Sequence, residues 1–105
     1  YKISNLIAGG FKIGAFGASA KGNTMLNAAG LSYKDIMYII DDTPEKQSMY
    51  SPGTGIPIVN VEELKNNPVD YLLILAPNFT KEIKKRLEGI YKGKYIIPVP
   101  NVIIE

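Results

Sequence analysis

Four short, nearly continuous apolar runs divide this chain, and glycine or proline lies close to each of them. Uninterrupted apolar runs predict strands that are covered on both faces, as in a parallel sheet, because a half-exposed strand would alternate with polar residues. The alternative is buried helix segments, which the shortness of the runs and their flanking residues disfavour. The predicted strands cover residues 12–18, 36–42, 71–77 and 94–100.

Amphipathic segments lie between the apolar runs and predict helices. The clearest helix covers residues 80–91, where Ile83, Leu87 and Ile90 form an apolar stripe and the charged side chains fall on the opposite face. Further helices are predicted over residues 3–8 and 20–29, and a short extra strand over 56–59.

One more helix is indicated by a start signal and a stop signal. Asn60 and Glu63 have the spacing of a capping box, and Pro68 lies beyond the expected end of the helix. Strands that alternate with helices in this way predict an α/β fold with a doubly wound parallel sheet, which has three layers, α/β/α. No repeat, low-complexity segment or linker interrupts the pattern, so we expect a single domain over residues 1–105.

Composition excludes several kinds of chemistry. The chain contains no histidine and no cysteine, which excludes thiol nucleophiles, disulfides, Ser-His-Asp triads and the common zinc sites. The net charge of +2 does not indicate nucleic-acid binding, and no apolar run approaches the roughly 18 residues of a membrane span. We therefore expect no catalytic residue, no metal site, and no nucleic-acid or membrane partner. We also expect a cytoplasmic location and, because residue 1 is Tyr, a chain that is either a fragment or a processed product.

A glycine-rich turn joins the first predicted strand to the following helix. It contains Gly14, Gly17 and Gly22, with Lys21 inside the turn. A helix N-terminus offers free N–H groups and the positive end of a dipole, and glycine lets a phosphate approach the backbone. The spacing is neither GxGxxG nor a P-loop, since Asn23 stands where a P-loop has its phosphate lysine. Two interpretations stay open: an anion or nucleotide site, or glycines required only for a tight turn and close packing.

An acidic residue and a long loop follow the second predicted strand. Asp41 lies 24 positions after Gly17, near the distance at which a dinucleotide site places an acid for a ribose hydroxyl. We expect Asp41 either to bind ligand hydroxyls or to anchor the loop. That loop, residues 42–55, is long for a small domain, and such loops are usually functional or mobile. It carries Lys46, which, like Lys21, would either neutralise a diphosphate or be an ordinary solvated lysine.

Two further residues stand out by position. Asn78 follows a predicted strand, at the edge where open α/β sheets bind ligands, and its alternative role is a helix cap beside Thr80. Of the seven tyrosines, most lie in or near strands and are expected in the core, whereas Tyr50 lies in the long loop.

Five blocks of the sequence carry a resemblance to a known family. The run FGASAKGNTMLN at 16–27 resembles the signature YGAxAKGNTLLN of the C-terminal domain of sugar C-methyltransferases. Three positions depart from the family pattern: Asp42 replaces a common Arg, Ser48 a frequent Gly, and Pro77 a common Trp. The other similar blocks, in family order, are DDTPEKQ at 41–47, SPGTGIP at 51–57, LAPNF at 75–79 and IPVP at 97–100.

The resemblance implies a Rossmann-like domain of an S-adenosylmethionine-dependent enzyme that methylates a carbon of a nucleotide-linked keto-sugar. It implies that this domain helps to bind the nucleotide-sugar, has no cofactor of its own and is not catalytic alone. S-adenosylmethionine and zinc are expected in other domains of the parent polypeptide, and those domains are the expected partners.

The resemblance and the turn together give a set of expected substrate-binding residues. Residues of the turn would bind a diphosphate, Lys21 or Lys46 would balance its charge, and the remaining polar groups would bind ribose, base or sugar. The alternatives are a regulatory module that binds a nucleotide, NAD or coenzyme A, and a purely structural domain. The expected binding residues are Gly17, Ser19, Lys21, Gly22, Asn23, Thr24, Asp41, Lys46, Gln47, Gly53, Thr54 and Asn78.

Overall fold

The computed structural model describes residues 2–98 and 103–105, and a mostly parallel sheet lies at their centre. The strands in the described part of the chain are β1 (Ile13–Phe16), β2 (Ile39–Ile40), β3 (Ile58–Val59), β4 (Tyr71–Ile74), β5 (Lys94–Ile97) and β6 (Ile103–Ile104). Their order in the sheet is β3-β2-β1-β4-β5-β6. The order reverses between β1 and β4, as it does in doubly wound nucleotide-binding sheets.

Four of the five strand pairings are parallel in the described residues. β1 pairs with β2 and β4, β2 pairs with β3, and β4 pairs with β5. The exception is β6, which runs antiparallel to β5 and which the apolar pattern did not predict. The predicted α/β class is confirmed.

Helices cover both faces of the sheet. Successive strand residues point to opposite faces, so Ala15 and Leu73 join one core and Leu72 and Ile74 join the other. α1 and α2 pack on the first core, and α3 and α4 on the second, which produces the three layers. The helices are α1 (Lys2–Ala8), α2 (Ala20–Ala28), α3 (Glu63–Asn66) and α4 (Thr80–Arg86).

Several predicted elements are longer than the observed ones. The helix predicted over 80–91 ends at Arg86, because Gly89 adopts φ +80° and turns the chain out of the helix before Gly93. The strand predicted over 36–42 is regular only in β2. The strand predicted over 94–100 is β5 in its first part, and its last two residues lie outside the described residues.

The predicted capping box is wrong. Asn60 Oδ1 accepts the amide of Glu62 at 2.9 Å rather than that of Glu63. The Glu63 carboxylate accepts from the Asn67 side chain at 2.7 Å instead of reaching back to the start of the helix.

Among residues 2–98 and 103–105, no helix has the length and apolar character needed to cross a bilayer.

Candidate functional site

A cavity of about 480 Å³ opens beside the carboxyl ends of β1 and β4, where the strand order reverses. Ala18 follows β1, Leu75 follows β4, and both line the cavity. Ligands of open α/β sheets bind in this position. Four of the predicted site residues are among its lining: Ser19, Asn23, Thr24 and Lys46.

The turn between β1 and α2 forms one wall of the cavity. Gly17 has φ +100°, which favours glycine, and its amide donates to the Ile40 carbonyl at 2.8 Å. Ser19 is the N-cap of α2, and its hydroxyl accepts the Gly22 amide at 3.0 Å. A Cβ on Gly22 would lie 2.7 Å from that of Leu75. Both glycines therefore meet the turn and packing requirement that the sequence left open.

The start of α2 retains two amides without an acceptor in the described part of the chain. They belong to Ala20 and Lys21, since the Gly22 amide binds the cap and the Asn23 amide binds the Ser19 carbonyl. Such amides and the helix dipole attract anions. The Lys21 side chain is exposed and lies outside the cavity lining.

Asp41 anchors the turn and the loop to each other. Its two carboxylate oxygens accept the amides of Ala18 and Thr43, each at 2.8 Å. Partial burial acts to raise the pKa of Asp41, but the hydrogen bonds from Thr43 and Ala18 and the positive charge of Lys46 outweigh it, so the pKa lies below its usual value. Of the two roles expected for Asp41, loop anchoring is the one observed.

Lys46 and Gln47 hold the loop against the ends of the strands. The Lys46 ammonium donates to the Ala18 carbonyl at 2.7 Å, and the Gln47 amide donates to the Asp41 carbonyl at 3.0 Å. Lys46 is half-buried and lines the larger cavity, the one of about 480 Å³ (the main cavity). One of its three N–H donors binds the Ala18 carbonyl, so the charge and the other donors remain available in that cavity.

The next part of the loop is docked on α2. The Ser51 hydroxyl donates to Asn23 Oδ1, and the Asn27 side chain donates to the Pro52 carbonyl at 3.3 Å. Gly53 has φ +77°, and a Cβ there would lie 2.6 Å from Asn27 Oδ1. Asn23 and Gly53 therefore fix the loop that closes one side of the cavity.

Three other predicted residues do not offer a free polar side-chain group to the cavity. Thr54 is buried, and its hydroxyl accepts the Ile56 amide at 3.4 Å within the loop. Thr24 lines the cavity, but its hydroxyl donates back to the Ala20 carbonyl at 3.0 Å. Asn78 is exposed and lies outside the lining.

The alternative role of Asn78 as a helix cap is wrong. The N-cap position of α4 is Phe79, which makes no side-chain capping bond. The Thr80 hydroxyl instead donates to the Pro77 carbonyl at 2.6 Å, within the 3₁₀ turn Pro77–Phe79.

A second cavity of about 260 Å³ adjoins the first, and Met49 and Tyr50 line both. Gln47 lines the second cavity together with Asn60 and Glu63. Sequence reasoning missed Met49 altogether, and for Tyr50 it had only the position in the loop as a signal. Met49 is 56% exposed and Tyr50 68%, so two neighbouring apolar side chains are exposed beside both cavities.

Comparison with known proteins assigns the family. Residues 2–100 match the C-terminal domain of C-methyltransferases. The chain belongs to this family. It is also 35% identical over 103 residues to the C-methyltransferase NovU of Streptomyces niveus. That match covers 94% of this chain and 24% of the relative, so the chain spans about a quarter of the length of NovU.

The described residues contain no group of three or more His, Cys, Asp or Glu side chains arranged to hold a metal ion. The larger cavity is lined by Ala20 at the start of α2, by the ammonium group of Lys46 and by the exposed side chains of Met49 and Tyr50. Helix amides and an ammonium group can bind an anion, and exposed apolar side chains can contact an apolar or aromatic group.

Proposed function

We propose that this C-methyltransferase domain binds a nucleotide-linked keto-sugar that an S-adenosylmethionine-dependent domain of the same polypeptide methylates on carbon. The observation that carries the proposal is that the start of α2 and Lys46 line one cavity beside the ends of β1 and β4. The diphosphate of the substrate would accept the amides of Ala20 and Lys21. In this scheme the domain binds and orients substrate and is not catalytic alone.

The charges around the cavity support an anionic ligand of moderate affinity. A helix N-terminus is equivalent to roughly half a positive charge, which stabilises a nearby anion by about 0.3–1 kcal/mol when the site is exposed. Lys46 adds a full charge, but Asp41 lies close enough to offset part of it. The exposed ammonium of Lys21 is free to move toward a bound phosphate.

The chemical step belongs elsewhere in this proposal. Methylation of a carbon beside a ketone requires a base that removes a proton before methyl transfer, and this chain contains no histidine. We assign the methyl donor, the zinc ion and the base to the other domains. This chain would hold the substrate in position. Fixing two reactants in the correct geometry can remove a large part of the activation barrier for the reaction between them.

Calorimetric titration at low salt tests the proposal. Thymidine diphosphate is expected to bind the full-length protein and, more weakly, this domain, whereas S-adenosylmethionine is expected to bind only the full-length protein. Binding of the methyl donor or of NAD to the domain would overturn the assignment. The proposal would also be overturned if thymidine diphosphate did not bind the full-length protein.

A matched pair of lysine variants tests the direct contact. Lys21→Ala is expected to weaken thymidine diphosphate about two- to fivefold, the equivalent of one exposed charge near a helix N-terminus. Lys34→Ala removes an exposed lysine that lines neither cavity and is the control. Equal affinities of the two variants would exclude Lys21 from the diphosphate site.

A purely structural domain is the second candidate, and one observation favours it. Ser19, Asn23 and Asp41 already bond to protein groups, so part of the polar lining serves the fold itself. If Lys21→Ala and Lys46→Ala leave the activity and the substrate KM of the full-length enzyme unchanged, the structural role is the better conclusion.

A further inference from the structure

We propose that the ring of Tyr50 is a stacking platform for the planar base of the ligand, and so gives this domain a higher affinity for a nucleotide than for a bare diphosphate. The inference rests on the proposed function, because it assumes that the diphosphate lies at the start of α2. It adds the residue that distinguishes a nucleotide from a bare diphosphate.

The backbone around Tyr50 is fixed although its side chain is exposed. Tyr50 forms an antiparallel bridge with Pro57. On one side of it the Ile58 amide donates to the Met49 carbonyl at 2.8 Å, and on the other the Ser51 amide donates to the Ile56 carbonyl at 2.8 Å. A ring held on such a rigid segment binds a planar partner with little loss of conformational entropy.

The position of Tyr50 matches the geometry that a nucleotide requires. It lines the same cavity as Ser19 and Ala20 at the start of α2. One nucleotide would therefore place its phosphates at the start of α2 and its base against Tyr50. The ring is 68% exposed, and covering it with a base would remove apolar surface from water.

The charges give the ligand one orientation. The smaller cavity, on the other side of Met49 and Tyr50, is lined by Glu63, whose carboxylate would repel a phosphate. Lys46 lines only the larger cavity. The phosphates therefore belong at the α2 side, and the neutral ring belongs against Tyr50.

The smaller cavity also suits the edge of a base. Its polar side chains include the amides of Gln47 and Asn60 and the carboxylate of Glu63. Each makes one bond within the protein and retains further donors or acceptors for a neutral ring. A pyrimidine base with an imide N–H has the matching groups. An acidic peptide does not, because it would bring negative charge to Glu63.

Three variants of the full-length protein test the platform, with thymidine diphosphate and inorganic pyrophosphate as probes. Tyr50→Ala is expected to weaken thymidine diphosphate roughly five- to hundredfold, the range for loss of one aromatic stack, and to leave pyrophosphate unchanged. Tyr50→Phe keeps the ring and should bind within about twofold of the wild type. Tyr33→Ala removes another tyrosine, 60% exposed and outside both cavities, and should change neither affinity.

The outcomes separate this inference from the proposed function. If the wild type binds thymidine diphosphate and Tyr50→Ala binds it equally well, the platform is wrong and the diphosphate site stands. If Tyr50→Ala weakens both probes to the same extent, the residue holds the loop rather than the base, and the platform is also wrong. Failure of the wild type to bind either probe removes the proposed function, and with it the inference.

Discussion

Tyrosine has opposite roles at the two edges of the sheet formed by the amino ends and the carboxyl ends of its parallel strands, here called the amino edge and the carboxyl edge. At the amino edge, Tyr38 and Tyr91 are buried, and their hydroxyls donate to the carbonyls of Asn67 at 2.6 Å and Lys94 at 2.9 Å. Tyr50, in contrast, is exposed and lines the cavity at the carboxyl edge as well as the smaller cavity beside it. A tyrosine whose hydroxyl bonds to a buried backbone carbonyl stabilises the fold, whereas an exposed ring beside a cavity is available to a ligand.

The amino edge is closed by close contacts. A Cβ on Gly14 would lie 2.9 Å from the ring of Tyr38, so glycine is needed for the ring to pack there. Burial, with a smaller contribution from the charge of Glu63, raises the pKa of Tyr38 to about 12. Burial likewise raises the pKa of Tyr91.

The largest expected effect comes from closing the space between α2 and the sheet at the carboxyl edge. Gly22→Ala would place a Cβ against that of Leu75, and overpacking of this kind costs roughly 1–3 kcal/mol, against which a helical Gly→Ala change gains only about 0.5–1 kcal/mol. We expect a net loss of roughly 1–2 kcal/mol in the free energy of unfolding, measured by urea denaturation. Ala28→Ser, at the exposed end of the same helix, is the control and should change little.

Tyrosine-to-phenylalanine changes test the comparison directly. Tyr91→Phe leaves the Lys94 carbonyl without its side-chain donor, and we expect a loss of about 1 kcal/mol. Tyr50→Phe should stay within about 0.5 kcal/mol, as surface substitutions usually do. Equal losses for the two variants in thermal unfolding would contradict the distinction between the edges.

Relief of backbone strain beside the smaller cavity should stabilise the carboxyl edge. Ser48 has φ +69°, a conformation that costs a residue with a Cβ roughly 1–2 kcal/mol. Ser48→Gly removes that cost but loosens the unfolded chain, so we expect a net gain of about 0.5–1 kcal/mol. Ser48→Ala keeps the Cβ and is the matched control. A gain in Tm for the alanine variant as well would refute backbone strain as the cause.

The smallest effect concerns pH and the anchor at Asp41. Because the folded state lowers its pKa, the ionised carboxylate contributes stability above its unfolded pKa of about 3.9, and that contribution is lost as the pH falls through the folded value. Asp41→Asn should therefore be less stable than the wild type at neutral pH, and the difference should shrink below about pH 4. A difference that stays constant from pH 7 to pH 3 would show that the charge of Asp41 plays no part.

Sequence reasoning predicted the α/β layers but missed details that depend on contacts between distant residues. The apolar runs predicted the parallel strands because burial on both faces leaves a visible signal. β6 gave no such signal, since two residues at a sheet edge have no pattern of their own. The capping box failed because Asn67, at the far end of the helix, competes for the Glu63 side chain.

At the site, the sequence predicted residue types but not their contacts. The turn and Lys46 were expected to bind one diphosphate, and Ser19 and Lys46 both line the larger cavity, where diphosphate binding stays a prediction. Thr54 was expected to face a ligand, yet packing of the loop buries its hydroxyl. The family pattern held one unused signal: a frequent Gly at the position of Ser48 is explained by the positive φ of that residue.

The pairing of the loop with β3 also bears on self-association. β3 ends the sheet, and such strands recruit copies of other chains when their outward N–H and C=O groups are unpaired. Here the outward groups of Ile58 are both taken, the amide by Met49 at 2.8 Å and the carbonyl by the Ser48 amide at 3.0 Å. The segment that carries Tyr50 to the cavities thus also shields this margin of the sheet from edge-to-edge aggregation.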